Sequence, residues 1–322
     1  MKNILITGGA GFVGINLTRY LIENTAYKIT VLDNLSTGNL DLLKRVIESG
    51  GKEIEYRFTP NPGAVCFFKM DILKKEEIDE ALKGQWAVVH LAAQTGVLPS
   101  LENPMKDAEV NIIGTLNLLE ASVKHKIETF IFASSAAPLG EQEPPLDEGK
   151  IPRPLSPYGA SKLAGEGYCS AFYGSFGLNT LVLRFSNLYG PDSFHKGSVV
   201  AQFIKQIIKG ESPVIYGDGS QTRDFLYTGE LCRCIAAILE SENKGAGEVF
   251  QLGSGIQTSV NQLVELLKEV SGVPFSVIYK SERKGEIRYN YTSIEKARKW
   301  LGFQPTTDLK TGLSLTWQWF KK

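Results

Sequence analysis

The strongest constraint on this chain is an alternation. Short apolar runs take turns with longer stretches whose apolar residues recur at helical spacing. Ile4-Leu5-Ile6, ended by Thr7-Gly8-Gly9, reads as a buried strand, and Phe12 to Glu23 carries Leu17, Tyr20 and Leu21 on one helical stripe. Ile29 to Leu32, Phe67-Phe68, Ala87 to Leu91, Phe130 to Ala133 and Thr180 to Leu183 continue the strand series. Lys75 to Leu82, Pro104 to His125 and Pro157 to Phe176 are the intervening helices. Strands separated by helices at this pitch fold into an α/β, doubly wound parallel sheet.

The rhythm loosens after Arg184. Val199 to Lys209 reads as a helix, Val214-Ile215-Tyr216 as a strand, Gly229 to Leu239 as a helix and Val249 to Leu252 as a strand that rejoins the first sheet. Thr258 to Val270, Phe275 to Tyr279 and Ser293 to Leu301 alternate again with more polar connectors. A length of 322 residues, against a prior of about 150 per domain, fits two domains. The expected division gives residues 1–185 plus about 228–256 to a dinucleotide-binding domain and 186–227 plus 257–322 to a smaller, discontinuous α/β lobe. Lys44 to Ala64 reads as either an inserted hairpin arm or a loop.

Composition removes several function classes. Lys+Arg and Asp+Glu both number 35, so the basic excess usual in a nucleic-acid binder is absent. No apolar run approaches the roughly 18 residues that cross a bilayer, so no membrane association is expected. Cys66, Cys169, Cys232 and Cys234 lack paired metal or redox spacing and read as free thiols in a reducing cytoplasm. His90, His125 and His195 are scattered, so no metal is expected.

Gly8-Gly9-Ala10-Gly11-Phe12-Val13-Gly14 closes a strand and opens a helix. Glycines at Gly8, Gly11 and Gly14 let the backbone turn tightly and approach a pyrophosphate at the helix N-terminus. Asp33 follows about 20 residues later at the end of the second strand, where an acid accepts ribose hydroxyls. A carboxylate there repels a 2′-phosphate, which favours NAD over NADP as cofactor.

Tyr158 and Lys162 stand four apart at the start of a helix and share a face. A tyrosine has a reference pKa of about 10, and a neighbouring ammonium stabilises its phenolate. Ser134-Ser135, read as lying just beyond its strand, reaches the carboxyl edge of the sheet, where ligands bind in this architecture.

These stretches resemble the extended short-chain dehydrogenase/reductase family, in its nucleotide-sugar epimerase and dehydratase branch. The resemblance runs through Thr7 to Gly14, Asp33-Asn34-Leu35-Ser36-Thr37-Gly38, Asp71-Ile72, His90-Leu91-Ala92-Ala93-Gln94 and Asn111-Ile112-Ile113-Gly114-Thr115. It continues through Tyr158 to Lys162, Arg184 to Pro191 and Gly217 to Asp224, in order over nearly the whole chain. It implies a Rossmann domain with NAD held by Gly8, Gly11, Phe12, Val13, Gly14, Asp33, Asn34, Ser36, Gly38, Asp71, Ile72, Leu91, Ala92, Ala93, Gln94 and Asn111, together with Tyr158 and Lys162. It makes Ser135 the catalytic hydroxyl, Tyr158 the base and Lys162 the ribose-binding lysine. For the sugar nucleotide it implies Ser135, Ala136, Ala137, Asn187, Val199, Tyr216, Arg223, Arg283, Glu286 and Asn290, with Asn187, Arg223 and Arg283 at the phosphates.

In this family dehydratases place Asp-Glu after the catalytic hydroxyl. This chain has Ser135-Ala136-Ala137, which supplies no acid or base for removing water. The expected reaction is therefore 4-epimerisation of a nucleotide sugar, a UDP-hexose, by oxidation and re-reduction at one carbon. The alternatives are another nucleotide-sugar oxidoreductase or lyase, and a non-catalytic NAD-binding sensor. Pro138-Leu139-Gly140 replaces the usual Val-Tyr-Gly, and Asn290 matches a gatekeeper position that is bulky where C2 N-acetyl sugars are refused. The resemblance also implies a homodimer formed through Pro104 to His125 and Pro157 to Phe176, whose apolar residues, including Leu116, Leu119, Leu163 and Phe172, read equally as intramolecular core.

Overall fold

The computed structural model describes residues 2–56, 63–241, 245–282 and 288–322. The chain divides into two compact units, 1–140 with 151–184 and 232–250, and 141–150 with 185–231 and 251–322.

The first unit follows the alternation closely: β1 (Asn3–Thr7), α1 (Phe12–Asn24), β2 (Lys28–Leu32), α2 (Leu40–Ser49), β3 (Ile54–Glu55), β4 (Val65–Phe68), α3 (Lys75–Ala81) and β5 (Ala87–His90). Then come α4 (Val97–Glu102), α5 (Pro104–Ala108), a π-helical turn at Glu109–Ile113, α6 (Gly114–Lys124), β6 (Thr129–Ser135), α7 (Pro157–Phe176) and β7 (Thr180–Phe185). The sheet order is β12-β7-β6-β5-β1-β2-β4-β3, with β12 at Val249–Leu252. Pairing is parallel between β1 and β2, β1 and β5, β2 and β4, and β5 and β6. The strand order turns back between β1 and β5, which opens a crevice at their carboxyl ends. β4, β5 and nearly all of β6 are buried, so each reads as a continuous apolar run rather than an alternation. Leu5, Val88, Phe130, Phe132, Leu118, Leu119 and Val182 meet in the main core.

Several boundaries differ from expectation for local reasons. Residues 44–56 form no hairpin arm: α2 ends at Ser49, and Ile54–Glu55 is a parallel edge strand on Val65-Cys66, while 57–62 lie outside the described residues. The segment Pro104 to His125 is not one regular helix, because a π-turn interrupts it. β6 runs on through Ser134 and Ser135, so these residues finish the strand rather than follow it.

The second unit contains β8 (Asn187–Tyr189), α8 (Val199–Ile208), β9 (Val214–Tyr216), β10 (Thr222–Arg223), β11 (Phe225–Tyr227) and the start of α9 (Thr228–Glu240). After β12 come β13 (Thr258–Ser259), α10 (Val260–Ser271), β14 (Ile278–Lys280), α11 (Glu295–Leu301) and α12 (Leu309–Phe320). Three two-stranded pairs, β8 with β11, β9 with β14 and β10 with β13, replace a large sheet. Tyr189, Phe203, Phe225, Leu263, Leu267, Leu313 and Trp317 form its core. Residues 141–150 were expected in the first unit but cluster with the second. The reason is local pairing: Leu146 N donates to Tyr291 O, Ser293 N donates to Leu146 O, and Gln251 N donates to Glu148.

Candidate active site

In the first unit a cavity of about 510 Å³ sits at the crevice in the strand order. Its lining includes Gly8 after β1, Asp33, Asn34 and Ser36 after β2, Asp71 and Ile72 after β4, and Ala92, Ala93 and Gln94 after β5. Residues scattered over 87 positions of sequence, from Gly8 to Gln94, thus meet because four parallel strands end side by side. Gly8 has φ +67, and a Cβ there would lie 2.6 Å from the Ala92 backbone nitrogen. A Cβ at Gly14 would lie 2.4 Å from the Cα of Gly9, so the turn closes only with glycine at both ends. Gly11 caps α1 without a side-chain bond, which leaves the helix N-terminus to an anion.

Asp33 is buried, and its oxygens accept from Ala10 N at 3.0 Å and Leu35 N at 2.8 Å. A carboxylate has about four acceptor sites, so two stay open to a vicinal diol. Burial pushes the Asp33 carboxyl above its ordinary value, against those two bonds. Asn34 Nδ2 donates to Asp71 Oδ2 at 3.1 Å, joining the ends of β2 and β4. The combination of uncapped helix, glycine turn, open carboxylate and long cavity fits an extended diphosphate that carries two ribosyl groups.

Tyr158 and Lys162 occupy the first turns of α7, which Pro157 starts and Ser156 caps by accepting from Gly159 N at 3.1 Å. A Cβ at Gly159 would lie 2.6 Å from Ala137 O, so glycine lets α7 press against the turn after β6. That approach brings Tyr158 near Ser135, whose hydroxyl acts to lower the phenol and whose Oγ accepts from Ala137 N at 2.9 Å. Lys162 is buried and donates to Ala133 O at 2.8 Å. Burial pushes Lys162 down to about 8. The expected easing of Tyr158 by Lys162 is not what the protein alone displays. Burial pushes the phenol up to about 12, with Ser135 opposing, and the ammonium is spent on the Ala133 carbonyl.

Behind this pair lies a buried polar layer in which Asn111 was expected, while Asp107 and the Glu166–Arg184 pair were not. Asn111, in the π-turn, accepts from Gln94 N at 2.8 Å and donates through Nδ2 to Gln94 O, Asp107 Oδ2 and Ser161 Oγ at 3.0, 3.0 and 3.1 Å. Ser134 Oγ donates to Glu166 Oε1 at 2.5 Å, and Arg184 binds Glu166 through Nε at 2.8 Å and through its terminal nitrogen at 2.6 Å. His90 sits between Thr7 Oγ1 and Thr115 Oγ1, and burial pushes it down to about 3. The one available signal was spacing: Glu166 repeats the face of Lys162 one helical turn later.

In the second unit Tyr216 lines a cavity of about 180 Å³ with Gly217, Asp218, Ser220, Gln221, Glu282 and Arg288. Asn187, Val199, Arg223 and Asn290 do not line it. Asn187 N donates to Asp224 O at 2.9 Å, and Arg223 donates to Thr222 O at 2.7 Å. Asn290 is half-buried beside Tyr291, and the next residue, Thr292, is anchored by its N–H to Asp224 Oδ2 at 3.2 Å. Arg283 and Glu286 lie outside the described residues. Among the described residues no group of His, Cys, Asp and Glu is arranged to hold a metal ion, and no helix is long and apolar enough to cross a membrane.

A model of the NAD-dependent epimerase/dehydratase family matches residues 4–253. The chain belongs to that family. It is 39% identical to a provisionally named UDP-glucose 4-epimerase of Methanocaldococcus jannaschii over 99% of this chain and 98% of the relative. The UDP-glucose 4-epimerase of Thermotoga maritima, solved with UDP-glucose, superposes with a TM-score of 0.88 at 38% identity, covering 99% and 98% of the two chains. The UDP-glucuronic acid 4-epimerase of Bacillus cereus, solved with its substrate and NAD, gives 0.88 at 31% identity, covering 99% of each chain. dTDP-glucose 4,6-dehydratases of Streptomyces stand among the relatives. NAD is this family's cofactor, and UDP-sugar 4-epimerases are isomerases.

Proposed function

We propose that this chain is an NAD-dependent 4-epimerase of a UDP-hexose, such as UDP-glucose, UDP-N-acetylglucosamine or UDP-glucuronate. The observation that carries the reading is the turn after β6. Ser135 and Tyr158 adjoin there, close enough for the hydroxyl to act on the phenol, while Ala136 and Ala137, the next two residues, bring no ionisable group. The unit's nearby carboxylates are engaged elsewhere: Glu166 is paired with Arg184, and Asp107 is fully buried against Asn111. A dehydration needs an acid for the leaving hydroxyl and a base for the neighbouring carbon, and neither is offered.

The geometry and the family resemblance together support the following roles. Gly8, Gly11 and Gly14 cradle the diphosphate of NAD, Asp33 takes the adenosine ribose hydroxyls, and Asp71 and Ile72 flank the adenine. Bound NAD supplies a hydride acceptor and donor and a positive charge beside the phenol. Tyr158 Oη accepts the proton of the C4 hydroxyl as that carbon becomes a ketone, and returns it once the 4-keto sugar has turned over. Ser135 hydrogen-bonds the reacting oxygen. Lys162 holds the nicotinamide ribose and adds a second positive charge. Asn187 and Arg223 of the second unit, with Arg283 assigned on the family resemblance alone, are the residues we propose for the UDP diphosphate, and Tyr216 for the border of the nucleotide.

The chain also reads as a homodimer of the cytoplasm. Leu98, Leu101 and Met105 on α4 and α5, with Phe176 at the end of α7, are 65, 57, 69 and 60% exposed, apolar side chains on or next to the segments a dimer would use. Of the residues that read equally as dimer surface or intramolecular core, Leu119 is in the core. The four free, buried cysteines suit a reducing compartment. Incubation with UDP-, dTDP-, CDP- and GDP-sugars, followed by mass spectrometry and NMR, tests the activity. An unchanged mass with inverted C4 is expected, and loss of water or of carbon dioxide overturns it. Light scattering at the mass of one chain would refute the dimer.

A further inference from the structure

Asp107 is 0% exposed, and nothing in the proposed chemistry uses it. Its Oδ2 accepts from Asn111 Nδ2 at 3.0 Å, while Oδ1 is buried with no hydrogen-bond partner. From Asn111 the chain of bonds runs to Ser161 Oγ at 3.1 Å, and Ser161 donates to Tyr158 O at 3.1 Å. An ionised carboxylate with an idle oxygen costs several kcal/mol to bury unless a positive charge answers it. α5, which carries Asp107, packs on α7, which carries Tyr158 and the buried Lys162.

We infer that Asp107 is a positioning residue for the Tyr158–Lys162 pair: it orients Asn111 and Ser161 behind the first turns of α7 and supplies the buried negative charge that keeps Lys162 an ammonium.

The other charges around the pair are accounted for. On α7 itself, Glu166 is paired with Arg184 of β7 and raises Lys162 less than Asp107 does, and the Cys169 thiol is driven further toward its neutral form by burial. On β5, His90 is neutral. Glu102 of α4, Lys106 of α5 and Glu109 of the π-turn are exposed, and on α6 Glu120 pairs with Lys75 and Lys124 with Asp79. β6 and the turn Ala137–Leu139 bring no titratable group. Asp107 is therefore the buried charge left unneutralised beside the pair. The electrostatics agree in sign, since Asp107 raises both Lys162 and Tyr158. Removing its charge lowers both.

The test is Asp107→Asn, which keeps an acceptor for Asn111 and deletes the charge. The phenolate absorbance of the NAD-bound protein is titrated, taken as the difference from Tyr158→Phe. The midpoint is expected to fall by on the order of one pH unit. The acid and alkaline limbs of the kcat profile should move down together, because one needs Tyr158 deprotonated and the other Lys162 protonated. Asp107→Glu, which keeps the charge, should hold the wild-type midpoint. A folded Asp107→Asn with an unmoved midpoint overturns the inference, whatever happens to kcat. If that variant does not fold, Asp107→Ser removes the same charge in a smaller side chain and is read the same way. The inference rests on Tyr158 as the base, but the phenolate titration needs no sugar. A shifted midpoint in a protein that epimerises nothing would leave Asp107 standing and reject the 4-epimerase reading.

Discussion

The two cavities are built by different means. In the first unit, the part of the lining at the ends of the parallel strands is backbone turns and short side chains, Gly8, Asp33, Ala92 and Ala93, beside longer ones such as Met70, Met105 and Lys106. In the second, a cavity about a third as large is lined by the long side chains Tyr216, Gln221, Glu282 and Arg288 around the turn Gly217, Asp218 and Ser220. A wall made of backbone tolerates few residues, because any Cβ at Gly8 or Gly14 collides with main chain. A wall made of long side chains can be re-cut one residue at a time. One kind of construction suits a cofactor shared by a whole family, the other a substrate that differs among its members.

The largest expected effect tests the rigid half. Tyr158→Phe removes the proton-transferring oxygen and should lower kcat by about 10²–10⁴-fold. NAD should stay bound, since the turn and Asp33 are untouched. Retained turnover measured beside a wild-type control would dismiss Tyr158 as the base.

Next is the buried pair beneath it. Arg184→Met leaves Glu166 charged and unpaired at 4% side-chain exposure, which should cost about 3–5 kcal/mol in urea unfolding. A loss below 1 kcal/mol would mean that Glu166 takes up a proton instead.

The adaptable half should respond more mildly and in selectivity rather than in folding. Asn290→Tyr is expected to shift the kcat/KM ratio of UDP-glucose over UDP-N-acetylglucosamine by about 1–3 kcal/mol toward the sugar without the acetamide. An unchanged ratio moves the gate elsewhere, with Ala137-Pro138-Leu139 the next place to look.

The smallest effect belongs to His90 and appears only in acid. Its folded pKa, about 3, lies below the unfolded value of about 6.5, so the native state binds fewer protons. Its contribution is full above the unfolded pKa and is lost as pH falls toward 3. From pH 7.5 to 5 the loss is about 2 kcal/mol. Thermal melts of His90→Gln should show a weaker acid dependence than wild type, and equal slopes would assign the acid sensitivity to other groups.

What could be read in the amino-acid order follows the same division. Gly8 to Gly14, Asp33 and Tyr158 with Lys162 announce themselves because their function requires fixed local spacing on a turn, a strand end and a helix face. Glu166 and Arg184 do not, because each is defined by a partner across the fold, and Asp107, though it bonds Asn111 four residues on, meets α7 only through the packing of α5. Glu166 needs Ser134 from β6 and Arg184 from β7, and no local pattern encodes that meeting. The π-turn was invisible because it keeps the apolar rhythm of a helix and only changes which residue faces Ser161. In the second unit, β10 and β13 have two residues each, too few for any period to register. α12, by contrast, is twelve residues long and has Asp308 as its cap, so its signal was present and went unread.

The strand order also sets a schedule. β1, the first strand to be synthesised, lies in the interior of the sheet, with β2 and β4 joining on one flank and β5, β6, β7 and β12 on the other. Growth therefore proceeds outward from the N-terminus: β2, β4, β5, β6 and β7 each meet an edge already waiting, whereas the short β3 is made before β4, the strand it pairs with. The longest wait is at the last position on the longer flank: 63 residues, 186–248, separate the end of β7 from the start of β12. While they are being made, β7 is an open edge, and its unpaired amides and carbonyls are the surface on which nascent chains would pair with each other.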